Sequence, residues 1–186
     1  MKEIIIVGAG PAGSSAALFA AKAGKTTLVI DNDKSITKKA WMDNHYGVDG
    51  ISGPDLIETG KKQAEKFGAE YVEDTAVEIR PTDNGVVVAT ENGEYTGKHV
   101  ILATGVLPSV AEKSGLKTTD GREPKIKTIY VVDADGRTNL NNVWAAGTCA
   151  GVSVHTIITA GDGAKVAINV ISELNGERYV DHDVLK

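Results

Sequence analysis

The feature that most constrains this chain is a glycine-rich turn near its start, in the segment EIIIVGAGPAGSSAALFAAKAGKTTLVIDND. Residues 4–7 form a short apolar run without alternation, which predicts a strand buried on both faces of a parallel sheet. Residues 14–23 are rich in alanine and predict a helix, and residues 27–30 predict a second buried strand. The chain therefore opens with a β–α–β unit, which places it in the α/β class.

Three glycines in the turn have the spacing G-x-G-x-x-G, and each one has a physical task. Gly8 permits the tight turn, Gly10 lets the backbone approach a pyrophosphate, and Gly13 allows the helix to pack closely on the strand. Asp31 follows at the tip of the second strand, where a carboxylate accepts hydrogen bonds from a ribose diol. The pattern predicts a dinucleotide site, and by itself it leaves NAD and FAD open.

Composition and charge exclude several classes of function. The 186 residues carry a net charge of −5 and show no basic run longer than two lysines, so we expect no nucleic-acid partner. Cys149 is the only cysteine, which excludes an internal disulfide, and the four histidines lack metal-ligand spacing (His45, His99, His155 and His182). No apolar run reaches the length of a membrane span, so we expect a cytoplasmic protein without membrane or metal partners.

The middle of the chain predicts a helix, a strand and then a three-stranded antiparallel meander. The helix begins near Pro54 and directs Leu56, Gly60, Ala64 and Phe67 toward the core, and residues 69–72 form the strand. Short strands at 77–80, 86–89 and 94–96 are separated by DNG and ENG, which are strong hairpin signals. A further buried strand at 99–103 ends in small residues, which let a ligand approach the edge of an α/β sheet.

The motifs GAGPAG and ILATG, with the meander between them, resemble the FAD domain of the thioredoxin reductase family, within the pyridine-nucleotide disulfide reductase class. The C-terminal stretch NVWAAGTCAGVSVHTIITAGDGAK strengthens the resemblance, since the family has a strand ending in A-A-G-D and then a helix rich in small residues. The resemblance implies a single Rossmann-like domain over residues 1–186: a doubly wound parallel sheet with helices on both faces and the antiparallel meander.

The resemblance also implies the residues that bind FAD without a covalent bond. In the family, the N-terminus of the last helix faces the pyrimidine edge of the flavin. Thr148 stands where the family has Asp, and NDKSITKKAWMDN stands in place of a G-G-Q stretch. Aligning Asn44 and Gly47 with the family's N-x-x-G places His45 and Trp41 near the flavin. The implied set is Gly8, Gly10, Pro11, Ala12, Gly13, Asp31, Asn32, Asn44, Ala76, Ala103, Thr104, Gly105, Gly147, Thr148, His155, Thr156 and Ile157.

The interval between the two cofactor-binding parts, 1–105 and 143–186, is short. In the reductases an NADPH domain and a CxxC disulfide lie here, but residues 106–142 contain no second fingerprint and predict only a loop, a strand at 129–133 and a turn at Asp135-Gly136. We therefore expect an FAD-dependent oxidoreductase that exchanges electrons with an external donor or acceptor, such as a redox protein.

A non-enzymatic flavin-binding subunit or sensor and an NAD-binding module are the alternatives. The sequence names no catalytic acid, although His155 and His45 are candidates, and it does not identify the substrate. Relatives dimerise through this domain, so we expect a homodimer. Cys149 has no partner thiol and is expected to be a small buried residue at a strand end.

Overall fold

The computed structural model describes residues 1–181 and 183–185 as a seven-stranded sheet packed by helices, with two small two-stranded sheets beside it. The helices are α1 (Pro11–Lys22), α2 (Gly53–Glu65), α3 (Ala111–Ser114) and α4 (Thr156–Asn175). The strands are β1 (Lys2–Val7), β2 (Thr27–Asp31), β3 (Trp41–Met42), β4 (Ile51–Ser52), β5 (Glu70–Glu73), β6 (Ala76–Thr82), β7 (Gly85–Thr90), β8 (Glu94–Leu102), β9 (Thr118–Asp120), β10 (Thr128–Tyr130) and β11 (Val143–Ala145).

The main sheet has the strand order β5-β2-β1-β8-β7-β6, with β11 also paired to β8. Strands β5, β2, β1, β8 and β11 run parallel to one another, whereas β7 is antiparallel to both β8 and β6. The parallel sheet and the antiparallel meander are both confirmed. Because the carboxyl ends of β1, β2, β8 and β11 meet at one edge, that edge is where a ligand site is expected.

Strand β8 differs from the prediction, since the segments expected at 94–96 and 99–103 form one continuous strand. Along one side, β8 pairs with β1 from Gly97 to Leu102. Along the other side, its first half pairs with β7 and its last three residues pair with β11. The meander is therefore an extension of the parallel sheet, and β8 serves both parts.

The two faces of the sheet are covered unequally. One face packs against α1, α2 and α4, through a run of alanines in α1 and through Val166, Val170 and Ile171 of α4. The other face packs against the meander, Tyr130 of β10 and the short α3, so the only α-helix described there is four residues long. Among the described residues, no helix is long and apolar enough to cross a lipid bilayer.

Helix α2 confirms only part of its predicted core face. Ser52 caps the helix, because its hydroxyl accepts a hydrogen bond from the Asp55 N–H at 3.2 Å, and Ala64 is fully buried. Phe67 is exposed, contrary to the prediction, because the helix ends at Glu65 and the chain turns away before it. The strand predicted at 129–133 is also shorter, since it pairs with β9 only over Thr128–Tyr130.

A buried histidine and a buried tryptophan join β8 to β11. The Trp144 indole N–H donates a hydrogen bond to His99 Nδ1 at 3.2 Å, and the Arg137 guanidinium lies 4.4 Å from the Trp144 ring centroid. Burial lowers the pKa of His99 below its ordinary 6.5, although the carboxylate of Glu173 opposes the shift. The neutral imidazole is thus the form that the fold stabilises.

We expect the free energy of unfolding to fall as the pH drops below about 6.5, because the unfolded chain then binds a proton that folded His99 resists. Denaturant unfolding of the wild type and of His99→Gln, measured between about pH 7.5 and about pH 5.5, checks this. The variant should lose part of the pH dependence. Identical pH dependence in the two proteins would contradict the assignment to His99.

Candidate cofactor-binding site

The glycine turn between β1 and α1 is fixed on three sides by hydrogen bonds. The Gly8 N–H donates to the Ile30 carbonyl at 2.8 Å, and the Ala9 N–H donates to Asp31 Oδ1 at 2.9 Å. The Ser14 hydroxyl donates to the Ala9 carbonyl at 3.0 Å. Asp31 therefore has a second task that the sequence pattern did not show: its carboxylate positions the turn as well as facing the cavity beside it.

The first two glycines of the motif have different tasks. Gly8 has φ +101°, and a Cβ there would lie 2.4 Å from the Ala103 carbonyl oxygen, so the turn touches the end of β8. Above Gly10 an added Cβ would meet only the Ser35 hydroxyl, at 3.3 Å. The backbone at Gly10 is thus open toward the cavity, as close approach by a pyrophosphate requires.

Helix α1 begins directly after this opening, with Gly10 as its N-cap and Pro11 in its first turn. The first backbone hydrogen bond of the helix runs from the Ser14 N–H to the Gly10 carbonyl at 2.9 Å, so the N–H groups of Ala12 and Gly13 precede it. Unpaired N–H groups and the positive end of the helix dipole attract an anion. The arrangement suits a phosphate group at the start of α1.

A cavity of about 260 Å³ runs along the carboxyl edge of the parallel sheet, past the glycine turn. Eleven of the residues predicted to bind FAD line it: Gly8, Gly10, Pro11, Ala12, Asp31, Asn32, Ala76, Ala103, Thr104, Gly105 and Thr148. Ala76 begins β6 and Asp31 ends β2, and the others lie in the segments that follow β1, β2, β8 and β11, including the start of α1. Its other lining residues are Val7, Ala9, Ile30, Lys34, Ser35, Ile36, Thr37, Asp74, Thr75, Val106, Leu107, Ser109, Ala146, Val154 and Thr159.

Two of the remaining predicted residues lie behind the cavity wall. A Cβ on Gly13 would lie 1.8 Å from the Gly8 carbonyl oxygen, so Gly13 permits the contact between α1 and the turn. Gly147, with φ +80°, brings the end of β11 against Ala12, and its N–H donates to Asp162 Oδ2 at 2.8 Å. Asp162 was not predicted, and through this bond α4 holds the turn that carries Thr148.

The other four predicted residues, Asn44, His155, Thr156 and Ile157, are not part of the cavity wall and belong to the N-terminus of α4 and the loop beside it. His45 Nδ1 lies 2.9 Å from the Thr156 hydroxyl, which joins the loop of Asn44 to the first residue of α4. His155 is the N-cap residue, and its Nδ1 lies 2.8 Å from the Ser153 hydroxyl. The structure therefore brings the two candidate histidines to the same helix end.

Cys149 and Trp41 lie outside the cavity wall. Cys149 is completely buried, as predicted, and its thiol donates weakly to the carbonyls of Ala146 and Leu102 at 3.3 and 3.5 Å. Burial raises the pKa of this thiol, which disfavours the reactive thiolate. Trp41, the first residue of β3, is largely exposed and donates its indole N–H to Asp43 Oδ1, just after the strand, at 2.9 Å.

Asp74 and Thr75 form an unpredicted part of the wall. They follow β5, which lies next to β2, so their backbone reaches the edge that carries Asp31. The rule that parallel strands present their carboxyl ends to one edge was the sequence signal that could have predicted them.

Among the described residues, which leave out His182, no group of three His, Cys, Asp or Glu side chains could hold a metal ion.

Comparison with known proteins agrees with this geometry. Residues 3–42 match a family model described as an FAD binding domain, and residues 46–164 match the family of the pyridine nucleotide-disulphide oxidoreductases. The thioredoxin reductase of Peptoclostridium litorale is 40% identical over 124 residues, and that of Aquifex aeolicus is 35% identical over 127. Each alignment covers 64% of this chain but only 39% of the relative, so the match spans well under half of those proteins.

Solved structures show the same fold. The atypical thioredoxin reductase of Desulfovibrio vulgaris Hildenborough has a TM-score of 0.82 at 22% identity, with 95% of this chain and 99% of that chain covered. A thioredoxin reductase from Gloeobacter violaceus also reaches 0.82, at 18% identity and with 99% of both chains covered. At these identities the likeness concerns architecture alone.

Fold and site together define an FAD-binding domain of the Rossmann-like class. The open backbone at Gly10, the free N–H groups of α1 and the carboxylate of Asp31 fit the pyrophosphate and ribose of this cofactor. The chain belongs to the pyridine nucleotide-disulphide oxidoreductase family and is a flavoprotein of the thioredoxin reductase-like kind.

Proposed function

We propose that this protein is an FAD-dependent oxidoreductase whose flavin exchanges electrons with a separate redox partner rather than with NADPH bound on a neighbouring domain of the same chain. The observation that carries the proposal is the connection from β8 to β11. Residues 106–142 fold there into α3 and the β9–β10 pair, and the sequence contains a single G-x-G-x-x-G. One βαβ unit already needs ~30 residues, and a nucleotide-binding domain needs several such elements.

In this proposal the chain's own residues bind and orient FAD, which supplies the redox chemistry when bound. The turn at Gly8–Gly13 and the start of α1 hold the pyrophosphate, and Asp31 holds the adenosine ribose. Thr148 and the N–H groups of Thr156 and Ile157 face the flavin half. His45 and His155, at the same helix end, are the candidates for moving a proton to or from the reacting groups.

The test is anaerobic stopped-flow reduction of the FAD-loaded protein by NADH, NADPH and a reduced ferredoxin. NADH and NADPH should both react slowly and with little discrimination, because orientation of bound reactants supplies about 7–11 kcal/mol in well-aligned reactions and would be missing here. The reduced protein donor should react faster by orders of magnitude.

Two outcomes would change this conclusion. Rapid, saturable flavin reduction at micromolar NADPH would show a nucleotide site in this chain and overturn the proposal. Tight FAD binding without fast reduction by any of the three donors would favour a flavin-binding subunit or sensor instead.

The homodimer inferred from the resemblance is a separate proposal, which sedimentation of the FAD-loaded protein can check.

A further inference from the structure

The connection between β5 and β6 contains a buried carboxylate beside the ribose-binding end of the cavity. Asp74 lines the cavity, and only 6% of the residue is exposed. Charged side chains are rarely buried to this degree unless they are paired or fully hydrogen-bonded. The contacts of Asp74 therefore indicate what the burial is for.

Asp74 and Thr75 are tied to two separate parts of the fold. On one side, the Asp74 N–H donates to the carbonyl of Asp31 at 2.9 Å, which joins the connection to the end of β2. On the other side, the Asn92 amide, in the turn between β7 and β8, donates to Asp74 Oδ1 at 3.0 Å. The Glu91 N–H of the same turn donates to the Thr75 carbonyl at 3.0 Å.

The same carboxylate also fixes the backbone that faces the ligand. The Thr75 N–H donates to Asp74 Oδ1 at 2.8 Å, immediately before Ala76 begins β6. Burial by itself raises the pKa of Asp74, but the nearby Thr90 side chain and the hydrogen bonds from the Thr75 N–H and the Asn92 amide outweigh it and hold the pKa below its ordinary value. The ionised carboxylate therefore accepts short-range hydrogen bonds from two N–H donors.

We propose that Asp74 is the positioning residue for the adenine half of the FAD site. With the ribose diol on Asp31, the base attached to that ribose meets the next part of the cavity wall, which is Asp74, Thr75 and Ala76. Asp74 holds this wall in place from both sides, whereas the flavin half depends on Thr148 and α4. Its removal should therefore weaken recognition of the adenosine part and spare the flavin part.

Asp74→Asn tests the proposal, because it removes the charge that strengthens the two hydrogen bonds accepted by Oδ1, from the Thr75 N–H and the Asn92 amide. The binding constants of FAD, ADP and FMN for the apoprotein are measured by calorimetry or by competition. ADP contains the adenosine and pyrophosphate without the flavin, and FMN contains the flavin without the adenosine. We expect FAD and ADP to bind about tenfold more weakly and FMN to be unchanged, since hydrogen bonds to charged groups contribute this much.

Asp83→Asn is the matched control, because it removes the same charge from an exposed position in the β6–β7 turn. Asn92→Ala removes only one donor to Asp74, so it provides a milder second variant if Asp74→Asn fails to fold. Unchanged ADP affinity in folded protein, or equal losses for FMN and ADP, would overturn the proposal. Because it rests on FAD binding alone, the kinetics with NADPH or ferredoxin leave it unaffected.

Discussion

Replacing Gly13 with alanine is expected to destabilise the fold by about 3 kcal/mol or more and to abolish FAD binding. The added methyl group would lie 1.8 Å from the Gly8 carbonyl oxygen and 2.9 Å from its carbon. Both atoms belong to the backbone of the turn, so relief requires α1 to move away from β1. That movement opens the phosphate site, and the free energy of unfolding and the flavin content of the purified protein measure the two effects.

Two matched substitutions separate packing from ligand approach. Gly161→Ala adds the same methyl group in α4, where nothing lies within 4 Å, and should stabilise the protein by about 1 kcal/mol. Gly10→Ala meets only the Ser35 hydroxyl, so the apoprotein should keep its stability while FAD binding falls. Wild-type stability in Gly13→Ala would show that the contact between α1 and the turn is looser than the structure indicates.

Asp31→Ala should weaken FAD binding by about 1.5–3 kcal/mol, or roughly tenfold to a hundredfold in the dissociation constant. The substitution removes the acceptor for the ribose diol, and it also releases the Ala9 N–H and the Asp33 N–H, which the carboxylate binds at 2.9 and 3.0 Å. Fluorescence titration of the apoprotein with FAD measures the change.

Asp31→Asn distinguishes the two tasks of Asp31, because its amide oxygen can still accept from Ala9 while the charge is lost. Asp120→Ala, on the exposed β9, controls for the change in net charge. An FAD dissociation constant in Asp31→Ala equal to that of the wild type would contradict the ribose contact. Equal weakening in Asp120→Ala would assign the effect to net charge alone.

The sequence predicted the parts of the fold that depend on local pattern. The turn with Gly8 and Gly13 predicted its own strand and helix, because both glycines permit close backbone contacts that other residues would block. The split predicted within β8 was wrong for a physical reason at Gly97. A Cβ there would lie 2.9 Å from Ile5 Cγ1, so the glycine serves close strand packing and does not break the strand.

The parts that escaped prediction depend on contacts between distant segments. Asp74 lies in the site only because β5 pairs with β2, and the hydrophobic pattern of a sequence does not predict the order of strands in a sheet. The contact of His45 with Thr156 joins residues 111 positions apart, and the bond from Gly147 to Asp162 depends on how α4 packs. The resemblance to a family supplied the positions in this region, but not their hydrogen bonds.

The route from β8 to β11 has a consequence for modular evolution and for engineering. The chain leaves the sheet after Leu102 of β8 and returns at Val143 of β11, which pairs with β8. The two ends of this connection therefore lie on neighbouring, hydrogen-bonded strands. The entropy of closing such a loop rises only slowly with its length. This crossover can therefore exchange a short hairpin for an entire folded module without altering the register of the sheet, which makes it a natural point for grafting a donor domain onto the flavoprotein.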